Sequence, residues 1–98
     1  MQDGMMAIHP GDFLAEILED INMSQTAFAR RISVPRMRIS DIINGKRPVT
    51  AEMACLFGKA FNQSPGYWMS LQSSYDIKMA RKNLKERLES IPAIQLLS

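Results

Sequence analysis

Apolar residues recur every three to four positions along most of this chain, the spacing of helices that bury one face. Prolines stand at positions 10, 35, 48, 65 and 92, always between the periodic segments. They punctuate the pattern, with helix starts at 10, 35 and 65, a loop at 48 and a terminator at 92. The spacing predicts a first helix from about Pro10 to Asp20, with Phe13, Ile17 and Leu18 inward and Asp12 in the first turn. Ser24 caps a short second helix to about Ile32, with Phe28, Ala29 and Ile32 on its inner face. Pro35 begins a third helix that the Asn44-Gly45 pair stops. Thr50 caps a fourth to about Phe61, with Met53, Ala54, Leu56, Phe57 and Ala60 inward. Ser64 caps a fifth with Pro65 at its first position, and Trp68, Leu71 and Tyr75 keep the interval of a buried stripe. The pattern carries that helix on to about Ser90, with Ile77, Leu84, Leu88 and Ile91 carrying the apolar face. A short apolar tail, Ala93 to Leu97, is either frayed or docked, and no strand or internal repeat is visible.

Charge is unevenly spread. Residues 1–23 hold five acids (Asp3, Asp12, Glu16, Glu19, Asp20) and no Lys or Arg. Residues 24–47 hold six bases (Arg30, Arg31, Arg36, Arg38, Lys46, Arg47) against Asp41 alone. A basic band beside an acidic one suggests a surface facing a polyanion, with nucleic acid the leading candidate.

Length and composition narrow the function further. Ninety-eight residues suffice for one small domain, and 46% hydrophobic with 22% charged residues argues against disorder. No apolar run reaches the roughly 20 residues of a spanning helix, and the opening residues lack a signal-peptide pattern. With one cysteine, the expectation is a reducing cytoplasm, with no internal disulfide and no multi-cysteine metal site. One histidine leaves little for acid–base chemistry. No nucleophile–base pair, phosphate loop or metal cluster can be assembled, so an enzyme is the weakest candidate and no cofactor is expected.

Two short helices around a tight turn, inside the basic band, read as a helix-turn-helix. Counting from Gln25, the fifth residue is Ala29, small enough for two helices to cross. Ile39 and Ile42, fifteenth and eighteenth, pack back on the first helix of the pair. The ninth, Ser33, stands where glycine would ease a left-handed turn, at a cost of about 1 kcal/mol. With Ile39 at the centre of the inner face, Met37, Asp41 and Asn44 point away, and Ser40 and Arg38 lie on the flanks. Arg36, Met37 and Ser40 are therefore the candidates for base edges, with guanine suiting Arg36 and a thymine methyl suiting Met37. Arg38 serves either bases or phosphate. Asp41 accepts from cytosine or tethers an arginine, and the tether is favoured. Ser24, Gln25, Asn44, Lys46 and Arg47 flank the motif as phosphate contacts.

Residues 9 to about 80 resemble the HigA-type antitoxins, or virulence-associated protein I family, of the phage-repressor-like (XRE) helix-turn-helix class. The carrying motifs are His9-Pro10-Gly11, Ser24-Gln25, Val34-Pro35-Arg36, Arg38-Ile39-Ser40, Ile43-Asn44-Gly45-Lys46-Arg47, Ser64-Pro65 with Trp68, Leu71-Gln72 and Tyr75-Asp76. The resemblance implies a homodimer that binds its own operon's promoter and neutralises a HigB-like, mRNA-cleaving toxin. Family repressors use the start of the third helix for bases, and the Ser-Gln and Asn-Gly-Lys segments for phosphates. Ser33 departs from the usual turn glycine, and no family motif lies beyond Lys82.

The expected fold is all-α: a compact five-helix, repressor-like helix-turn-helix domain with an extended C-terminal helix. Residues 1–8 form a flexible tail, 9–76 the DNA-binding domain, and 77–98 the helical extension and tail. Ile77, Leu84 and Leu88 are candidate dimer contacts. His9 reads as a residue at a helix start, Cys55 as a small core residue, and Trp68 and Tyr75 as core. Eight methionines suggest soft packing or an adaptable partner surface; for seven the first is favoured, or a disordered start at Met1, and Met37 is the exception because it has no core to fill. Two other functions stay open at this point: a stand-alone phage-like repressor without a toxin, and a protein-interaction module that does not read DNA.

Overall fold

The computed structural model describes residues 7–96, so most of the expected N-terminal tail, Met1 included, lies outside the described residues. Six helices follow in order: α1 Pro10–Asp20, α2 Gln25–Arg31, α3 Arg36–Ile43, α4 Ala51–Phe61, α5 Pro65–Asn83 and α6 Lys85–Glu89. The first three helices pack through α3, α4 lies along α5, and α1 touches the side of α5. Among the described residues no helix is long and apolar enough to cross a membrane.

The caps expected at Ser24, Thr50 and Ser64 all form, each hydroxyl accepting from a backbone N–H of its helix. Pro35 differs by one position. With φ −62° and ψ 141° it stands just outside α3, and Arg36 opens the helix.

Helices α1 to α4 share one way of stopping. Each is followed by a residue of positive φ: Asn22, Ser33, Gly45 and Asn62. The amide after it then reaches back to the last turn, as in Val34 N–H to the Ala29 carbonyl at 3.0 Å and Lys46 N–H to that of Asp41 at 2.8 Å. Ser33, at φ 58°, thus carries the strain foreseen for the turn between α2 and α3. Ser33→Gly is expected to stabilise the protein by up to about 1 kcal/mol, part of the relief being offset by a freer unfolded chain. A higher urea midpoint at unchanged slope is the expected reading.

The core is built from Leu14, Leu18, Phe28, Ala29, Ile39, Ile42, Val49, Met53, Ala54, Phe57 and Trp68. Leu14 is fully buried and joins Leu18 at the centre of α1's inner face, while Phe13 and Ile17 lie half-buried at its margin. Phe57 meets Trp68 edge-on at 5.0 Å, and Phe28 stacks on Phe61 at 5.1 Å. The indole N–H of Trp68 donates to Gln63 Oε1 at 2.9 Å, so the large ring is buried without stranding its polar group.

Two expected core positions of α4 are exposed instead. Cys55 lies two residues before Phe57, about 160° round the helix, and faces solvent. Ala60 lines an open furrow between α2 and α4 with Arg31, Ile32, Leu56 and Lys59.

The long last helix is also divided. Leu84, at φ −104° and ψ 13°, ends α5 and leads into the five-residue α6. The break falls where packing runs out: the last buried side chain of α5 is Gln72, and α6 buries none. Asn83 is a poor helix former, and a short helix without an apolar partner is marginal in water. The arm therefore projects, giving a radius of gyration of 16.8 Å and a long axis of 52 Å. A closely packed chain of this length has a radius near 13 Å. Past α6, Ile91, Ile94 and Leu96 are exposed, so the described part of the apolar tail docks on none of the other described residues.

Candidate nucleic-acid interface

The basic band folds into α2, its turn and α3. Ile39 and Ile42 are fully buried and fix the rotation of α3 about its own axis. That rotation leaves Arg36 and Met37 exposed, Met37 at 64%, an apolar side chain in water with no core to fill. Ser40, one turn on from Arg36, is half-buried, and its hydroxyl accepts a long 3.4 Å bond from Asn44 Nδ2.

Arg38 behaves differently from its neighbours. Its guanidinium folds back toward α4, with Nη1 3.8 Å from the Met53 sulfur. Asp41, the lone acid of the band, meets Arg47 with Oδ2 3.8 Å from Nε, the arginine tether expected from sequence. With the Arg47 side chain half exposed, such a contact contributes under about 1 kcal/mol, so it orients Arg47 more than it stabilises the fold.

The flanking residues rest on helix ends. Ser24 spends its oxygen on the cap, accepting from Ala27 N–H at 3.0 Å. Gln25 Oε1 is buried and, among the described residues, has no hydrogen-bond donor. Asn44, Lys46 and Arg47 are exposed in the turn after α3.

Two groups that sequence reasoning left out of the site prove to hold it in place. Gln72, on α5, accepts from Val49 N–H at 2.7 Å and donates to Asp76 Oδ1 at 2.9 Å. This pins the end of the Lys46–Arg47 loop to α5. The signal was present, because Gln72 lies four residues after Trp68 and so on the buried face. Gly11 is the second. A side chain there would meet the Ile42 carbonyl oxygen at 1.9 Å, so α1 and the end of α3 touch backbone to backbone.

His9 caps α1, its Nδ1 accepting from Gly11 N–H at 2.9 Å, and its ring meets Tyr75 edge-on at 4.9 Å. Burial pushes its pKa below the ordinary value, against the opposing pull of Asp12 and Asp76. The cap needs an unprotonated Nδ1. A lowered folded-state pKa means that the unfolded chain binds the proton first as pH falls. The stability His9 contributes is therefore complete above about pH 6.5 and is lost as pH drops through its folded value. Thermal melts should show this loss in the wild type, while His9→Asn, which keeps a capping oxygen, should lack that step.

Among the described residues no group of three His, Cys, Asp or Glu side chains is placed to hold a metal ion. What the surface offers is long cations, a hydroxyl and an exposed thioether along one short helix.

The family model for the helix-turn-helix matches residues 14–68. The virulence-associated protein A' of Dichelobacter nodosus is 35% identical over 81 residues, covering 82% of this chain and 70% of that protein. An addiction module antidote protein of the HigA family from Coxiella burnetii superposes with a TM-score of 0.89 at 38% identity, covering 93% of this chain and all of that one. The Pseudomonas aeruginosa antitoxin HigA, solved with the higBA promoter, superposes with a TM-score of 0.87 at 32% identity, covering 92% of this chain and 100% of that one.

Proposed function

From the premise that this chain belongs to the helix-turn-helix family, among the HigA-type antitoxins and virulence-associated proteins, we propose that it represses its own operon and neutralises an mRNA-cleaving toxin. The observation that carries the reading is the seating of α3. Its apolar side is locked by Ile39 and Ile42, and its first turn offers Arg36 and Met37 to solvent in the chain's most basic stretch. A relative with the same fold, 32% identical, was solved on promoter DNA.

In this reading α3 lies in the major groove, where Arg36, Met37 and Ser40 meet base edges. Arg38, turned toward α4, reaches the phosphate at the groove edge or swings out to a base. Ser24, Gln25, Asn44, Lys46 and Arg47 hold the backbone on either side. Moving the Gln25 amide toward a phosphate relieves its unpartnered oxygen of a buried site.

One motif reads few base pairs, so the protein works as a homodimer on a palindrome, with copies about 34–36 Å apart. The unpacked arm supports this: Ile77 and Leu88 are exposed and Leu84 half-buried, apolar groups left over in one chain. Residues 9–76 then form the DNA-binding unit and 77–98 the extension. The protein acts by binding in the cytoplasm, where its operator lies, and turns over no substrate.

The test is a gel shift with the DNA upstream of the gene, repeated across salt. With six or more phosphates neutralised per dimer, affinity should fall at least about 10³-fold between about 50 and 200 mM salt. A flat salt response, or equal affinity for unrelated DNA, counts against the reading.

A further inference from the structure

We propose that a furrow along α1 is the docking surface for the toxin, received as a cationic, partly apolar protein face. Phe13 and Ala15 line its floor, Ile8 stands 47% exposed at one rim, and the carboxylates of Asp12, Glu16 and Glu19 border it. The furrow holds about 390 Å³. An adjoining depression shares Ile8 and Phe13 and runs on to Leu71 and Tyr75 of α5, so the apolar floor bridges two helices. Among the described residues, no ion pair engages Glu16 or Glu19.

Charge selects the occupant. Residues 7–23 carry four acids and no Lys or Arg, and three of those acids border the furrow, so this side repels nucleic acid and attracts a basic surface. A protein that cleaves mRNA must itself bind a polyanion, and so must present such a surface. The chain's own start is a poor occupant, because residues 1–6 add Asp3 and no base. Position suits a ternary complex. Helix α1 turns its buried side, with Gly11, Leu14 and Leu18, inward, and Asp12, Glu16 and Glu19 face solvent, so α3 stays open to DNA. The proposal rests on the antitoxin reading above and adds to it where the toxin sits.

The experiment uses the full chain and the purified protein encoded by the reading frame next to this gene. Reversing two exposed charges, Glu16→Lys with Glu19→Lys, should weaken that binding at least about 10-fold and abolish growth rescue on co-expression. The neutral pair Glu16→Gln with Glu19→Gln should give a smaller loss in the same direction. Undiminished operator binding by both variants serves as the check that they fold. Should the wild type bind the neighbouring product and the reversed variant bind it within about twofold, the furrow is not the contact. A change in sedimenting mass with toxin affinity unchanged would assign the furrow to a second copy of this chain. Either result overturns the proposal and leaves the antitoxin reading standing. A wild type that ignores the neighbouring product overturns both.

Discussion

Replacing Gly11 with alanine is expected to cost at least about 3 kcal/mol, the upper end of what overpacking does in a core. The added carbon would stand 1.9 Å from the Ile42 carbonyl oxygen, 2.7 Å from its carbon and 2.8 Å from the Ile43 Cα. All three are backbone atoms of α3, so no side chain can rotate away. The two helices must part, and the Ile42 carbonyl also accepts from Gly45 N–H at 3.1 Å in the stop that leads into Lys46 and Arg47. Urea unfolding should show a large fall in midpoint, with operator binding falling alongside. Gly66→Ala is the control. There the new carbon meets only Ser64 Oγ, at 3.4 Å, and stability should hold or rise by less than about 1 kcal/mol.

Arg36→Ala is the second large effect, and it is expected on binding alone. The side chain is exposed and its removal should change stability by no more than about 0.5 kcal/mol. If Arg36 pairs with a base, each half-site loses about 1–3 kcal/mol, so a dimer weakens roughly 30-fold or more. Discrimination should relax at one position in each half-site. Lys46→Ala, at a position proposed to meet a phosphate, should instead weaken all sequences alike and lower the salt slope by about 1 for each phosphate no longer neutralised. Titrations of both variants against the operator and single-base changes in it separate the two roles. Unaltered base preference in Arg36→Ala would remove Arg36 from the reading surface.

Much of this fold was legible because its boundaries are written in local chemistry. Ser24, Thr50 and Ser64 cap, Pro10 and Pro65 start helices, and Asn44-Gly45 stops one; none of these depends on distant residues. Rotation about a helix axis was harder to read. The triplet Phe13, Ile17 and Leu18 gave nearly the right face of α1 but omitted Leu14, its centre. Cys55 looked like core because its neighbours are apolar, yet its own angle on α4 points outward. Tertiary relations left fainter marks. The Arg38 contact with Met53 joins residues fifteen apart on separate helices. Gln72, a polar residue on a buried face, reads as an exception until its bond to Val49 N–H is seen. The end of α5 was missed for another reason: apolar periodicity continues past Asn83, but none of the described residues lies opposite to be covered by it.

Cys55 also has an experimental use. It is the chain's single thiol and it faces solvent on α4, away from Phe57 and the core. A nitroxide attached there needs no engineered cysteine and reports one distance per pair of subunits. Pulsed paramagnetic resonance would then read how far apart two bound copies hold their α4 helices, with and without operator. A single sharp separation that survives removal of the DNA would mean that contacts between the two copies, and not the duplex, set the spacing.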